Sequence, residues 1–311
     1  MASRSGVTVL GSANLDLTLG VTDLPTAGQT LLSTRRTGGP GGKGLNQAVA
    51  AARAGAPTRF VGAVGRDAEG AELLRVLAAD GIECLVRQTE TRTGLAVVMV
   101  DASGENAIVV VPGANAELLE LRPAELGAVT AARVLLMQLE APMPTVVEAA
   151  HTARGAGVRV VLNAAPQAPL DATLTECLDL LVVNEGEARA LAVELGGRVT
   201  DPGDDTDVVD AYLDRLLERV PAVVVTLGPR GARYRDRDGA RHAQPGRSVV
   251  VADTTGAGDC FAGYLAAGLA EGVPVATALA WANAAAALCV QRPGAVPAVP
   301  RRAEVAAEVA G

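Results

Sequence analysis

Between residues 134 and 227, short apolar runs alternate with helix-forming stretches so regularly that few folds can accommodate them. Residues 134–137, 158–162, 180–183 and 222–227 are near-continuous apolar runs of strand length. Residues 144–154, 172–177, 187–195 and 208–219 read as helices. Strands that are apolar on both faces and joined through helices lie parallel in a sheet covered on both sides. The N-terminal part adds strands at 7–11 and 59–64, with helices at 45–54 and 69–80 that stop at Gly55 and Gly81. The expected fold is therefore α/β, with a mainly parallel central sheet between helical layers.

Two pairs of candidate strands break the rhythm, 15–19 with 31–37 and 95–100 with 107–111, the second pair flanking the turn 101–104. They lack the helices that a parallel sheet needs, so they should form a small separate sheet, with a lid over the site as its role. No repeat and no Pro/Ser-rich linker divides residues 1–311, which predicts one domain carrying a lid made of inserted segments at about 14–38 and 93–112. The apolar region 261–290 is interrupted at Glu271-Gly-Val-Pro274, which predicts two core helices and no membrane span.

The stretch after residue 248 has a different character. Val249, Val250 and Val251 read as a strand, followed by Thr254, Thr255, Gly256 and Gly258 as a tight turn. Phe261, Leu265, Gly268 and Leu269 then mark an amphipathic helix. Glycines at a helix start let a ligand approach unpaired N–H groups at the positive end of the helix dipole, which suits an anion. Asp259 is then the odd residue. It either caps its helix or faces the hydroxyl that attacks a phosphoryl group held by the neighbouring amides, and this stretch alone leaves both readings open.

A net charge of −8 without a Lys/Arg run argues against nucleic acid or an anionic membrane as partner. Cys84, Cys177, Cys260 and Cys289 are far apart in apolar segments, as expected of buried thiols. Only His151 and His242 are available, too few for a histidine metal site. The first six residues are short and polar, which predicts no signal peptide and a soluble, cytoplasmic protein. Of 27 basic residues one alone is a lysine, Lys43, inside Gly38-Gly-Pro-Gly-Gly-Lys-Gly44. A lone lysine in a glycine loop suggests a place for a compact ammonium, with chance as the alternative. The segment formally matches G-x-G-x-x-G, but the ribose-binding acid expected about 20 residues later is missing, and Thr37 and Gly44 spoil a Walker A loop.

Taken together, Gly41-Gly-Lys-Gly-Leu-Asn-Gln-Ala-Val-Ala-Ala-Ala-Arg-Ala-Gly55 and Asp253-Thr-Thr-Gly-Ala-Gly-Asp-Cys-Phe-Ala-Gly263 closely resemble the two signatures of the ribokinase-like (PfkB) carbohydrate kinases. Gly11-Ser-Ala-Asn-Leu-Asp16, Met137-Gln-Leu-Glu140, Asn184-Glu-Gly-Glu187 and Thr226-Leu-Gly-Pro-Arg-Gly231 extend the resemblance in the family's order over nearly the whole chain. The first signature and Gln-Leu-Glu140 are most similar to the family's ribokinase branch. The resemblance implies the family's three-layer fold and an ATP-dependent sugar kinase acting on the primary (5-) hydroxyl of D-ribose.

It also implies roles for residues. Asn14, Asp16, Gly42, Lys43, Asn46 and Glu140 would bind the sugar, a donor and acceptor set suited to a neutral polyol. Asp259 would be the base, and the N–H groups of Gly256, Ala257 and Gly258 would hold developing phosphoryl charge. Asn184, Thr226, Gly228, Gly231, Gly258 and Asn283 would border the nucleotide. Glu187 would act on Mg²⁺ through water, although Asn184 and Glu187 also read as an ordinary helix start. A K⁺ site would use Asp253 with carbonyls of Thr255, Cys289, Arg292 and Gly294. Ala298 stands where the ribokinase branch often has serine, which removes one oxygen. Relatives commonly dimerise through their lid sheets, so a homodimer is expected. Deoxyribose, fructose, nucleosides and sugar phosphates are the alternative substrates within the family. The lid segments hold no aromatic platform for a nucleoside, whereas Arg35, Arg36 and Arg92 keep a phosphosugar open. A non-catalytic sugar sensor and a dinucleotide oxidoreductase are the readings from other classes.

Overall fold

The computed structural model describes residues 5–103, 105–196 and 206–310. Gly104 of the hairpin turn and residues 1–4, on which most of the N-terminal reading rests, lie outside the described residues. In chain order the elements are β1 (Val7–Leu10), β2 (Asn14–Gly20), β3 (Arg35–Gly41), α1 (Lys43–Arg53), β4 (Thr58–Gly65), α2 (Ala68–Ala79), β5 (Glu83–Thr89), β6 (Gly94–Val100) and β7 (Asn106–Val111). Then come α3 (Pro123–Ala131), β8 (Val134–Met137), α4 (Met143–Gly155), β9 (Arg159–Asn163), α5 (Ala172–Thr175), β10 (Leu180–Asn184), α6 (Glu185–Glu194) and α7 (Thr206–Leu217). The chain finishes with β11 (Ala222–Thr226), β12 (Gly231–Asp236), β13 (Arg241–Pro245), α8 (Ala257–Glu271), α9 (Val275–Cys289) and α10 (Arg302–Ala310).

Nine strands form the large sheet in the order β13-β12-β11-β10-β9-β8-β1-β4-β5. All neighbours are parallel except β11 with β12 and β12 with β13. Apolar side chains leave each strand alternately towards two cores. Val9, Phe60 and Leu136 join Leu45, Val49, Leu265 and Ala282 of α1, α8 and α9 on one face. Leu10, Val61 and Leu135 join Val129, Val146, Leu191 and Leu213 of α3, α4, α6 and α7 on the other. The expected three-layer α/β architecture is therefore present.

The four remaining strands make the second, small sheet in the order β3-β2-β6-β7. Its β7 edge leaves Ile108, Val109, Val110 and Val111 exposed. No helix of the described residues is long and apolar enough to cross a membrane.

Four expectations change. Residues 249–251 are not a strand; Val250 is 86% and Val251 56% exposed, and the N–H groups of Ala252 and Asp253 both reach the carbonyl of Val290. The segment is thus tied to the end of α9, so its β-branched residues serve another purpose than a ladder. The strand expected at 31–37 is β3, which starts at Arg35 and takes in the glycine run, with Gly41 opposite Asn14 and Gly39 opposite Asp16. A Cβ on Gly41 would stand 2.0 Å from Asp16 Oδ2, so that glycine makes room for a neighbouring carboxylate. Helix α8 is not amphipathic but buried on every side from Asp259 to Ala270, wedged between α1 and α9. Cys84 is exposed, because β5 is the edge of the large sheet, whereas Cys177, Cys260 and Cys289 are buried as expected. The polar strand β5 and the helix α3, interrupted by Gly127 and Thr130, carry too weak a pattern to be anticipated from sequence.

Candidate active site

The sheet reverses its winding at β1, with β4 on one side and β8 on the other. In open α/β sheets, ligands bind outside the carboxyl ends of the strands at such a point. Ser12 and Asn14 follow β1, Gln138 and Glu140 follow β8, and Asn163, Asn184 and Thr226 end β9, β10 and β11. The motif residues scattered along the sequence thus come to one edge of the sheet.

Helix α8 starts at this edge. Its N-cap Gly256 has φ 73°, a left-handed conformation that an L side chain resists, and an added Cβ would also meet Ala295 at 3.0 Å. The Ala257 N–H points to the Thr254 carbonyl at 3.3 Å, while the N–H groups of Gly256 and Gly258 have no partner among the described residues. Asp259 lies in the first turn and is 7% exposed. It does not cap its helix through its side chain. Its Oδ2 accepts from Asn46 Nδ2 at 3.0 Å and its Oδ1 from Gln47 Nε2 at 2.9 Å, across more than 200 residues of chain. Gly263, one turn further, allows that reach, since a Cβ there would sit 2.5 Å from the Gln47 carbonyl and from Ala50 Cβ. Only a glycine lets α1 and α8 approach so closely.

The contacts continue behind Asp259. Gln47 Nε2 also donates to Asn163 Oδ1 at 3.0 Å, and Gln47 Oε1 accepts from Gln138 Nε2 at 2.6 Å. Asn163 Nδ2 donates to the Val182 carbonyl at 3.1 Å. Asn46 Oδ1 and Gln138 Oε1 are buried with no partner among the described residues.

In front of Asp259, Asp16 from β2, Lys43 from α1, Glu140 and Glu187 gather around one cation. The Asp259 charge, first, then Glu140, Glu187 and Asp16 raise the Lys43 ammonium above its ordinary range against the opposing effect of burial. Burial, then the charges of Glu140 and Asp259, push Asp16 up to about 7. Burial likewise raises Glu187, against the Asn184 N–H and Lys43. Glu140 Oε2 accepts from Ser12 Oγ at 2.5 Å and from the Lys43 N–H at 3.2 Å. Asn14 Oδ1 accepts from Asn115 Nδ2 at 2.8 Å, which leaves the Asn14 amide nitrogen as a donor. Gly42 is the N-cap of α1, between β3 and the helix.

On the far side of the α8 N-terminus lies a cleft of about 600 Å³. Thr226, Gly228, Gly231 and Asn283 line it with Ala257 and Gly258, and Val249, Val251, Phe261 and Ala286 supply apolar walls. Two of the three valines that were expected to form a strand, Val249 and Val251, are therefore on the wall of this cleft. Asn283 Nδ2 donates to the Pro245 carbonyl at 2.8 Å. Asn184 and Glu187 form a reciprocal capping box at the start of α6, each accepting the other's N–H at 2.8 Å.

Asp253 joins two loops. Its Oδ1 accepts from the Thr255 N–H (2.9 Å) and hydroxyl (2.6 Å), and its Oδ2 from the Gly294 N–H at 2.8 Å. Burial raises this carboxyl, but these bonds outweigh it and hold it below the usual carboxylate range. The Cys289 carbonyl accepts from the Arg292 N–H at 3.1 Å, and Ala298 is buried nearby without a side-chain oxygen. No group of three or more His, Cys, Asp or Glu among the described residues could hold a metal ion.

Sequence reasoning assigned no role to Ser12, Gln47, Asn115, Gln138 or Asn163. Gln47 and Gln138 did carry a signal, as polar residues inside otherwise apolar runs beside Asn46 and Glu140. Ser12 stands inside the 11–16 motif, whereas Asn115 and Asn163 carried none.

The model of the pfkB family of carbohydrate kinases matches residues 4–302. A ribokinase of Haemophilus influenzae is 37% identical over 97% of each chain. One from Schizosaccharomyces pombe is 36% identical over 96% of each. The solved structure of Arabidopsis thaliana ribokinase complexed with ribose and ATP superposes with a TM-score of 0.89 at 32% identity, covering 98% of this chain and 99% of that one. From the two glycine signatures, the folded arrangement and these matches, the chain belongs to the pfkB family of carbohydrate kinases.

Proposed function

We propose that the protein transfers the γ-phosphoryl group of ATP to the primary (5-) hydroxyl of D-ribose. The observation that carries this reading is Asp259, buried at the start of α8, between a charged pocket and the unpartnered Gly258 N–H at the mouth of the cleft. Similarity to a ribokinase whose structure contains ribose and ATP supports both substrates.

Phosphoryl transfer is mostly positioning and charge stabilisation. Asp16, Glu140 and Asn14, with Gly42, Lys43 and Asn46, match sugar hydroxyls with acceptors and donors. Asp259 orients the attacking hydroxyl and takes its proton. The Gly256 and Gly258 N–H groups, with Ala257 once its long bond to Thr254 yields, receive charge developing on the phosphoryl oxygens. The walls around Val251 and Phe261 suit a flat base, with Asn283 at its edge, Thr226, Gly228 and Gly231 beneath it and Asn184 near the phosphates.

Mg²⁺ bound with ATP offsets charge on the phosphate oxygens. Glu187 fits an outer position for it, because Oε2 is engaged with the Asn184 N–H and Oε1 remains. Asp253, held ionised, and the carbonyls of Thr255, Cys289, Arg292 and Gly294 suit K⁺, a cation that takes oxygen ligands only. The small sheet would close over the sugar as a lid, and the exposed β7 row supports pairing of two lids in a homodimer.

The test is ATP turnover against ribose, deoxyribose, fructose, ribonucleosides and fructose phosphate, with and without K⁺. Ribose is expected to give the largest kcat/KM. Stronger turnover of another acceptor sinks the ribose assignment, and no turnover with any acceptor sinks the kinase reading.

A further inference from the structure

We infer that Gln47 is a positioning residue for phosphoryl transfer, fixing the Asp259 carboxylate through an amide chain that runs from Gln138 through Gln47 to Asp259 and Asn163. The inference rests on the reading of Asp259 as the base. Gln47 is fully buried, so it touches neither substrate. All three of its side-chain polar contacts are to buried protein groups that converge from four elements: Asp259 of α8, Asn163 of β9 and Gln138 after β8, with Gln47 itself on α1.

The pattern of donors leaves the chain one orientation. Asp259 accepts only, and Asn163 gives its Nδ2 to Val182, so it presents Oδ1 to Gln47. Both therefore require the Nε2 side of the Gln47 amide. Gln138 then secures that choice by donating to Gln47 Oε1 at 2.6 Å. A flipped Gln47 would set its oxygen against a carboxylate and a carbonyl, and its NH₂ against an NH₂. Each Asp259 oxygen thus accepts one amide bond, Oδ1 from Gln47 and Oδ2 from Asn46, which fixes the plane of the carboxylate and leaves each oxygen a further lone pair for the sugar hydroxyl.

The two neighbours on α1 thus divide the work. On the proposed function Asn46, whose Oδ1 has no partner among the described residues, contributes to sugar binding. Gln47 holds the base still and contributes to the chemical step. A misplacement of about 1 Å at a reacting group can cost about a hundredfold in rate, so a buried tether on the base acts on kcat and spares KM.

The test is steady-state kinetics of the full chain with the sugar it phosphorylates best. Gln47→Leu is expected to lower kcat about tenfold or more while the KM values for sugar and ATP stay within about threefold. Gln138→Met removes the securing donor together with an oxygen that already lacks a partner, so it should fold and lower kcat about threefold in the same pattern. In an Asp259→Ala background, Gln47→Leu should reduce the residual rate no further, because the group it positions is gone. A purely structural role would give additive losses there. A kcat within twofold of the parent in whichever variant folds overturns the inference, as does additivity in the Asp259→Ala background or a rise in KM at constant kcat. If Asp259→Ala itself keeps the parental kcat, the base assignment falls and this inference with it. If Asp259→Ala is inactive and Gln47→Leu is not, the inference alone falls.

Discussion

The two halves of the cleft meet at the first turn of α8 and are built on opposite principles. The half in front of Asp259 holds Asp16, Lys43, Glu140 and Glu187, and its bonds join residues 97 to 213 positions apart. The half behind Gly258 is walled by Val249, Val251, Phe261 and Ala286, with Thr226, Arg247, Ser248, Thr254 and Asn283 as its polar side chains and no carboxylate among them. A polyol taken out of water needs a partner for each hydroxyl, since a buried unpaired polar group costs roughly 1–3 kcal/mol. A flat base gains most from apolar contact and needs only a few polar groups to orient it. Changes in the first half should therefore strike the rate or the sugar affinity hard, and changes in the second should be milder and confined to ATP.

The largest effect is expected for Asp259→Ala, a loss of about a thousandfold in kcat under saturating substrates. An equal loss from any single cleft-wall substitution behind Gly258 would erase the contrast. Next comes Lys43→Met, which leaves four carboxylates around one point without their cation. Here kcat/KM for the sugar should fall about a hundredfold, with KM for ATP within about threefold. Asn283→Ala should raise KM for ATP about threefold to tenfold and leave that for the sugar unchanged, read from paired substrate titrations.

The smallest effect concerns pH. Asp16 rises from 3.8 to about 7 in the folded chain, so the native state keeps a proton that the unfolded chain has lost. Stability of the ligand-free protein should then decline from about pH 4 to pH 7 on account of this group, and that contribution is gone at pH 8. Asp16→Asn should accordingly raise the ligand-free Tm, relative to the parent, by a few degrees more at pH 8 than at pH 5. A pH-independent difference would mean that the charged half is not strained in the way described.

What could be read from the chain follows the range of each interaction. Strands β8 to β11 were legible because each holds an unbroken apolar run, with polar residues only at the ends of β9, β10 and β11, and both glycine signatures were legible because their geometry is local. Residues 249–251 misled because β-branched residues signal a sheet, whereas here they form an exposed segment tied to the end of α9, with Val249 and Val251 on the wall of the cleft. β3 runs further than expected because its glycines resemble a loop, whereas Gly41 makes room for the Asp16 carboxylate. Gln47 and Gln138 stood in plain sight within recognised motifs. Their roles depend on each other and on Asn163, and no local pattern announces a partner 91 or 116 residues away.

The bond between Gln47 and Asp259 spans 212 residues, which gives the site a history as well as a geometry. On a ribosome adding about 5–20 residues per second, α1 emerges roughly ten to forty seconds before α8. Throughout that interval the polar face of α1 and the ends of β8 and β9 wait without the carboxylate that they hold. The site is therefore completed in one late step, when the glycine-faced helix docks, and a chain stopped short of α8 lacks the carboxylate to which Asn46 and Gln47 donate.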